Sequence, residues 1–442
     1  MVSFHDAGVF FYGRGDYMNP IGVVICNYNK KEFVLQCIQS VLESKVHNFD
    51  IYMVDNASTD GSVEAVRKNY GEQVTILENK ENLGGSGGFN TGLRVVRDKG
   101  YSYFMCLDDD ASVDENAINE LYEYMEKNPD VGMAGARVYH KQFPDYIQQC
   151  GLMIDFEHCQ AHTLYADRLE DGSLPEVVEC DTVATCAVMI RGDAIRTTDV
   201  GIMPEDNFIY WDDMEWGHRM HLAGYRTVTL ARAAALHQMG ANVKKPTTFL
   251  NYYMWRNRAN FFMKYTPEDK LETMSVQALG DFFHAIYESM YRCEHNNMRS
   301  ITAAYYDAVG GIRGKAGENR ILPNDANDDK LIQYMQNKKS YFIQSDGHEE
   351  DERYLKNFLE EYCPYCKPLK EKDAQVILSF CNDIFGVKDL SLKKIYIDPY
   401  RNAILDEEDC EAVKNYAYSK MFFIYMNQSA FLDACDRLRR TK

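Results

Sequence analysis

Three adjacent carboxylates, Asp108-Asp109-Asp110, follow the apolar run Phe104-Met-Cys-Leu107. Carboxylates this close resist ionising together unless a cation compensates them. Oxygen ligands suit Mg²⁺ or Mn²⁺, ions that commonly bridge protein carboxylates to a substrate diphosphate. The plainer alternative is a solvated acidic turn or a helix start capped by Ser112 and Asp114. A place at the end of a buried strand favours the metal. A second acidic pair, Asp212-Asp213, stands between Trp211 and Trp216 in Phe208-Ile-Tyr-Trp-Asp-Asp-Met-Glu-Trp-Gly217. Aromatic faces suit stacking on sugars, and a carboxylate beside them suits deprotonation of a hydroxyl; Trp216 reads more simply as a core anchor. The segment Asn82-Leu-Gly-Gly-Ser-Gly-Gly-Phe-Asn90 is a glycine-rich turn ahead of a helix. Gly84, Gly85, Gly87 and Gly88 would either let backbone N–H groups approach an anion or serve a tight turn that needs positive φ. The segment does not fit the dinucleotide-binding G-x-G-x-x-G context and lacks the Lys of a P-loop. In Val54-Asp-Asn-Ala-Ser-Thr-Asp-Gly-Ser62, Asp55 could accept hydrogen bonds from a base or ribose, while Ser58 to Asp60 read as helix capping. His237 ends the run Thr227–Leu236 and by itself is more simply a core histidine than a ligand.

These groups need a scaffold. Ile21–Cys26 is a β-branched run of the kind a buried parallel strand uses. Val34, Leu35, Ile38, Val41 and Leu42 then repeat at helical spacing. Ile51–Val54 is a second strand, Ser62–Tyr70 a helix and Val74–Leu77 a third strand. The glycine-rich loop precedes a helix through Arg97, and Tyr101–Leu107 is a fourth strand. The alternation predicts an α/β domain with a largely parallel sheet. Asn27, Asp55, Asn82 and Asp108–Asp110 all fall just after strands, where the ligand crevice of an open α/β sheet lies. Four strands ending on polar groups point at one shared site. Beyond about residue 265 the chain reads as mainly helical and charged, with loops near Gly310–Gly317 and Pro323–Asp329.

Composition sets bounds on function. The 442-residue chain is 45% hydrophobic and 26% charged, the balance of a globular protein rather than a disordered one. A net charge of −19 argues against sequence-independent nucleic-acid binding, which needs a cationic surface. Its 13 cysteines are scattered, several inside apolar runs, which suggests buried thiols and a reducing compartment. Cys363-Pro-Tyr-Cys366 without a second pair is weak evidence for zinc. No signal peptide and no apolar run long enough to span a bilayer are read, so a cytoplasmic protein, or one at the cytosolic face of the plasma membrane, is expected. Tyr252–Tyr265 mixes aromatic and basic residues, as either an interfacial helix or a packed helix with a basic edge would.

In order, Cys26-Asn-Tyr-Asn29, Val54–Gly61, the Asn82–Asn90 loop, Leu107–Asp110, the Trp-Asp-Asp segment and His237 resemble glycosyltransferase family 2 over residues 20–265. The resemblance implies a GT-A fold (Rossmann-like, with a mostly parallel central sheet), inversion at the anomeric carbon and a nucleotide-diphosphate sugar donor. Gly-Gly-Ser-Gly-Gly-Phe89, Phe-Ile-Tyr-Trp-Asp-Asp213 and Arg256-Asn-Arg258 look most like bacterial galactofuranosyltransferases, which implies UDP-galactofuranose. It further implies Asp213 as general base and Asp108, Asp110 and His237 as ligands of Mn²⁺ or Mg²⁺. Asn27, Asp55, Asn82, Gly84, Gly85, Gly87, Gly88, Asp108 and Asp109 would meet the donor, and Trp211 and Asp212 the acceptor. A glycan or glycolipid acceptor, peripheral membrane contact and homo-oligomerisation are further expectations. Polymerising galactofuranosyltransferases carry a long N-terminal β-domain; only residues 1–20 precede the first strand here, which favours single addition. The division expected is 1–19 lead-in, 20–265 catalytic domain and 266–442 mainly helical domain. The rivals are a dTDP-rhamnose-dependent rhamnosyltransferase, a nucleotidyltransferase, for which Asn27–Lys31 is a poor triphosphate grip, and a non-catalytic carbohydrate-binding scaffold.

Overall fold

A computed structural model describes residues 20–197, 199–238, 247–326, 329–345, 347, 349–390 and 394–440. The lead-in over 1–19 lies outside the described residues. The chain divides into two compact units: 1–154 with 161–241, and 155–160 with 242–442. The change therefore falls ahead of the helix Thr248–Tyr265, whereas the sequence pattern put it after residue 265.

In the first unit, β1 (Ile21–Asn27), α1 (Lys31–Leu42), β2 (Phe49–Asp55), α2 (Ser62–Tyr70), β3 (Val74–Glu78), α3 (Gly84–Lys99) and β4 (Tyr103–Asp108) alternate as expected. The chain continues through β5 (Ala111–Val113), α4 (Ala117–Lys127), β6 (Val131–His140), β7 (Phe143–Gln149), the hairpin β8 (Leu152–Asp155) and β9 (Gln160–Thr163), β10 (Arg168–Leu169), β11 (Val177–Cys180), β12 (Ala187–Arg191), α5 (Gly192–Arg196), α6 (Asp212–Leu222) and β13 (Arg226–His237). The main sheet runs β10-β7-β6-β12-β4-β1-β2-β3, with β13 beside β6 and also paired to β5 and β11. Strands β4, β1, β2 and β3 are parallel. β12 enters antiparallel between β4 and β6, so the parallel sheet continues into a mixed one.

β1 is buried on both faces, which is why it reads as a continuous apolar run. Val23 and Ile25 join the core with Val34, Ile38 and Val41 of α1, and Val24 joins that of Leu93 and Val96 of α3. Helix α3 lies unusually close to the sheet. A Cβ on Gly92 would come 2.4 Å from Val24 Cγ1, and one on Gly88 2.4 Å from Cys26 Sγ. Glycine at these positions is what brings the start of α3 down to the strand ends.

The second unit contains α7 (Thr248–Tyr265), α8 (Leu271–Tyr291), α9 (His295–Val309), α10 (Lys330–Gln336), β14 (Ser340–Gln344), α11 (Glu349–Tyr362), β15 (Lys367–Pro368), β16 (Val376–Phe380), β17 (Ile395–Ile397), β18 (Ala403–Ile404) and α12 (Glu407–Arg440). It is mainly helical, yet it also holds a five-stranded sheet in the order β15-β14-β16-β17-β18. Strands of two to five residues are too short for periodicity to separate from buried helix. Of the two readings of Tyr252–Tyr265, the structure selects the packed helix. Tyr252, Tyr253, Arg256, Phe261, Phe262 and Met263 of α7 are all buried, with the Arg256 guanidinium over the Tyr252 and Tyr253 rings. That segment is a core helix and offers no interfacial face for a membrane. Among the described residues no helix is long and apolar enough to cross one. Cys363 and Cys366 are buried thiols in the β14–β17 core.

Candidate functional site

The strand ends converge. Asn27 stands opposite Asp55, Asp55 opposite Glu78, and Cys26 opposite Asp108, so the carboxyl ends of four parallel strands share one edge. The acidic triplet does not open a helix: Asp109 and Asp110 form the turn from β4 into β5. β5 then pairs antiparallel with β13, setting His237 opposite Ala111, one residue past the triplet. His237 Nε2 thereby lies 3.2 Å from Asp110 Oδ1 and 3.7 Å from Asp108 Oδ2. Ligand atoms of Asp108, Asp110 and His237 all fall within 4.8 Å of one another. Asp110 Oδ1 is buried without a satisfactory hydrogen-bond partner. Two carboxylates, one of them with an orphaned buried oxygen, and an imidazole fit a hard divalent cation.

The electrostatics agree. Burial, with neighbouring carboxylates adding to it, lifts the Asp108 carboxyl above its ordinary range and Asp109 to about 7. Burial also pushes Asp110 upward, but the adjacent His237 imidazole and the Lys30 ammonium outweigh that and hold it at about 2. Burial disfavours the imidazolium of His237, yet Asp110 and Asp108 raise its pKa above the usual value.

Three partners of the cluster escaped the sequence pattern. Lys30 Nζ reaches Asp110 Oδ2 at 2.7 Å and Asp109 Oδ1 at 3.1 Å. The Tyr28 amide donates to Asp109 Oδ2 at 3.0 Å. Gln148 Oε1 lies 2.7 Å from His237 Nδ1. An amide oxygen only accepts, so Nδ1 carries the proton and Nε2 is left to face the carboxylates as a lone pair. Lys30 sits in the β1–α1 turn, 80 residues from its partner, and no spacing rule connects them.

Asp212 and Asp213 open α6 after a strained approach: Phe208, Tyr210 and Trp211 all have positive φ, at 68°, 63° and 64°. The Phe208 carbonyl accepts from the Ser86 amide at 3.3 Å, and a Cβ on Gly84 would come 2.1 Å from that same oxygen. Gly84 also has φ +78°. Ser86 Oγ donates to Asp212 Oδ2 at 2.7 Å. The glycine-rich segment and the Trp-Asp-Asp segment thus form one structure, and the glycines start α3 itself rather than a loop ahead of it. Gly84, Gly87 and Gly88 are buried, their missing side chains replaced by protein neighbours; the position of Gly85 is more open. Asp213 is partly exposed, with Oδ1 accepting from the Met214 amide at 2.8 Å. Burial, then Asp212, then the Met214 bond acting against them and Asp108 leave its carboxyl at about 7. Trp211 is nearly buried, and Trp216 is an internal anchor whose Nε1 donates to the Gly201 carbonyl at 3.0 Å.

At the opposite end of the row, Asn27 Nδ2 donates to Asp55 Oδ1 and to Ser58 Oγ, both at 3.0 Å, and the Ser58 amide donates to Asp55 Oδ2 at 2.9 Å. The Asn27 Oδ1 atom is buried without a partner. Asn82 Oδ1 accepts from the Gly84 amide at 2.8 Å and from Asn56 Nδ2 at 3.2 Å. Asn56, given no role by the sequence pattern, also donates to the Gly84 carbonyl and accepts from the Leu83 amide, clamping this turn.

Residues 22–193 match the model of Glycosyl transferase family 2. Curated relatives include "Glycosyltransferase GlyG" of Streptococcus pneumoniae, 31% identical over 25% of this chain and 37% of its own length. "Teichoic acid poly(glycerol phosphate) polymerase" of Staphylococcus epidermidis is 26% identical over 31% of this chain and 19% of its own. "Poly-beta-1,6-N-acetyl-D-glucosamine synthase" of Staphylococcus aureus is 22% identical over 48% of each. The chain spans between a fifth and a half of the length of these relatives. Among solved structures, GalNAc-T7 with UDP, GalNAc and Mn²⁺ aligns at TM-score 0.48 and 11% identity, covering 60% of this chain and 51% of that one. Likeness at that level is loose and assigns no residue. The matched span, the parallel strands and the acidic strand-end cluster all fall in the first unit, which over residues 22–193 is similar to glycosyl transferase family 2.

Proposed function

We propose that this chain is an inverting, divalent-cation-dependent glycosyltransferase that moves a sugar from a nucleotide-diphosphate donor to a hydroxyl of a cell-surface glycan or glycolipid. The observation that carries the reading is the meeting of Asp108, Asp110 and His237 at one strand edge, within the field of Asp213. Asp108, Asp110 and His237 would hold Mn²⁺ or Mg²⁺, and the bound cation offsets charge on the donor diphosphate. Asp213 takes the proton from the acceptor hydroxyl as that oxygen attacks the anomeric carbon. A carboxyl near pH 7 is matched to that task, and inversion needs one base and no second carboxylate as nucleophile. Asp212, tied to Ser86, holds the start of α6 against α3 and so keeps Asp213 on the edge of the site. Asn27, Asp55, Asn82 and the α3 start line the donor end, and Trp211 the acceptor side.

The donor we favour is UDP-galactofuranose. The two segments that resemble galactofuranosyltransferases, 84–89 and 208–213, lie far apart in sequence yet are bonded to each other through Ser86. The names of the teichoic acid and poly-N-acetylglucosamine relatives support a polymeric envelope acceptor. The test is nucleotide release with Mn²⁺ from UDP-galactofuranose, UDP-galactopyranose, UDP-glucose and dTDP-rhamnose. Release from UDP-galactofuranose, lost in Asp110→Ala, is expected. Release from dTDP-rhamnose would replace the donor. Release that survives both EDTA and Asp110→Ala would overturn the metal site.

A further inference from the structure

Helix α12 buries one side and leaves the other bare. Val413, Tyr416, Phe431, Ala434 and Cys435 are internal. Tyr418, Met421, Phe422, Tyr425 and Met426 are 57–81% exposed. At 3.6 residues per turn these five form one continuous stripe at the middle of the helix. Taking roughly 200 Å² for each large side chain, the stripe offers on the order of 700 Å² of apolar surface, more than the largest patch of an ordinary monomer. No other helix among the described residues carries five such side chains in succession.

We infer that this face is covered by the same face of a second copy of the chain, the two α12 helices crossing antiparallel about an axis between Phe423 and Ile424. The helix runs from Glu407 to Arg440, and the stripe Tyr418–Met426 spans its midpoint. A two-fold axis there sets Phe422 of one copy against Tyr425 of the other, and Met421 against Met426. It also sets Lys414 against Asp433 and Glu407 against Arg440, all four exposed and all on the stripe side of the helix. Glu411 and Asp436, the one like-charged pair in that register, already carry cations of their own: Lys414 at 2.7 Å and Arg440 at 4.0 Å. A parallel pairing would instead stack the acidic first turns together and the basic last turns together. Two such stripes bury about 1,400 Å², inside the range of stable interfaces. A membrane surface fits less well, because the first turn of α12 carries Glu407, Glu408 and Asp409 and the chain's net charge is −19, whereas anionic lipid selects a basic rim.

The test is sedimentation equilibrium of the full chain over a concentration series, expecting twice the 51.0 kDa chain mass. Phe422→Asp should give a monomer that keeps the parent's circular-dichroism spectrum, since the side chain is exposed, while the concentration dependence of melting is lost. Lys414→Glu should weaken the dimer on the order of tenfold, because two like-charged contacts replace two pairs, and Lys414→Glu with Asp433→Lys should restore it. Failure of the double swap to restore would overturn the antiparallel register. A chain that stays monomeric would overturn the proposal. Dimerisation appearing only after deletion of residues 1–19 would assign the face to that segment instead. Flotation of the monomer with phosphatidylglycerol vesicles would assign it to lipid.

Discussion

Replacing Asp213 by Asn should separate activity from stability in opposite directions. An aspartate carboxyl ordinarily titrates near 3.8, but this one stands at about 7 in the folded chain, because burial and Asp212 oppose its ionisation. Between about pH 4 and pH 7 the native state keeps a proton that the unfolded chain releases. Stability from this group therefore falls as pH rises through that window and stays lost above it. The gap corresponds to at most about 4 kcal/mol. Asn cannot ionise, so Asp213→Asn should match the parent near pH 4 and be more stable at pH 8, by up to about 10 °C in melting temperature. The melts are read in EDTA, with no cation compensating the carboxylates. Turnover should move the other way: loss of a general base costs about 10²–10⁴-fold, while UDP binding persists. The parent's turnover should fall about tenfold per pH unit below 7. A variant turning over within tenfold of the parent would refute the base assignment. A variant no more stable at pH 8 would refute the strained carboxyl on which the assignment rests.

Gln148→Ala should weaken Mn²⁺ binding, measured by calorimetry, about 10–100-fold without removing a ligand, because His237 Nδ1 loses the acceptor that fixes its tautomer. Gly84→Ala places a methyl 2.1 Å from the Phe208 carbonyl at φ +78° and should cost about 2–4 kcal/mol in urea unfolding. Gly85→Ala, whose nearest neighbour is Ile209 Cγ1 at 3.7 Å, should be nearly silent; equal effects at both positions would show that flexibility, not contact, is what the glycines provide.

The parallel core was legible because its central strands are buried on both faces and its helices on one: Ile21–Asn27 and Lys31–Leu42 announce themselves through apolar runs and helical spacing. The C-terminal sheet was not, because Lys367–Pro368 and Ala403–Ile404 are too short to carry a period. The role of the glycine-rich segment was half legible. Its composition signals close approach, but only the contacts show that what approaches is Phe208 and Cys26 of the protein.

By itself, the sequence determined which groups would gather: acidic and amide residues placed at the ends of buried strands must share an edge once those strands are parallel, since the sheet has one carboxyl side. Which of them touch was decided by tertiary structure alone. His237 reaches Asp110 because β13 pairs antiparallel with β5, and Lys30 reaches it because β1 lies parallel beside β4, so the turns after the two strands meet. Pairing of that kind depends on register between segments many residues apart, and register is set by the packed core rather than by local spacing.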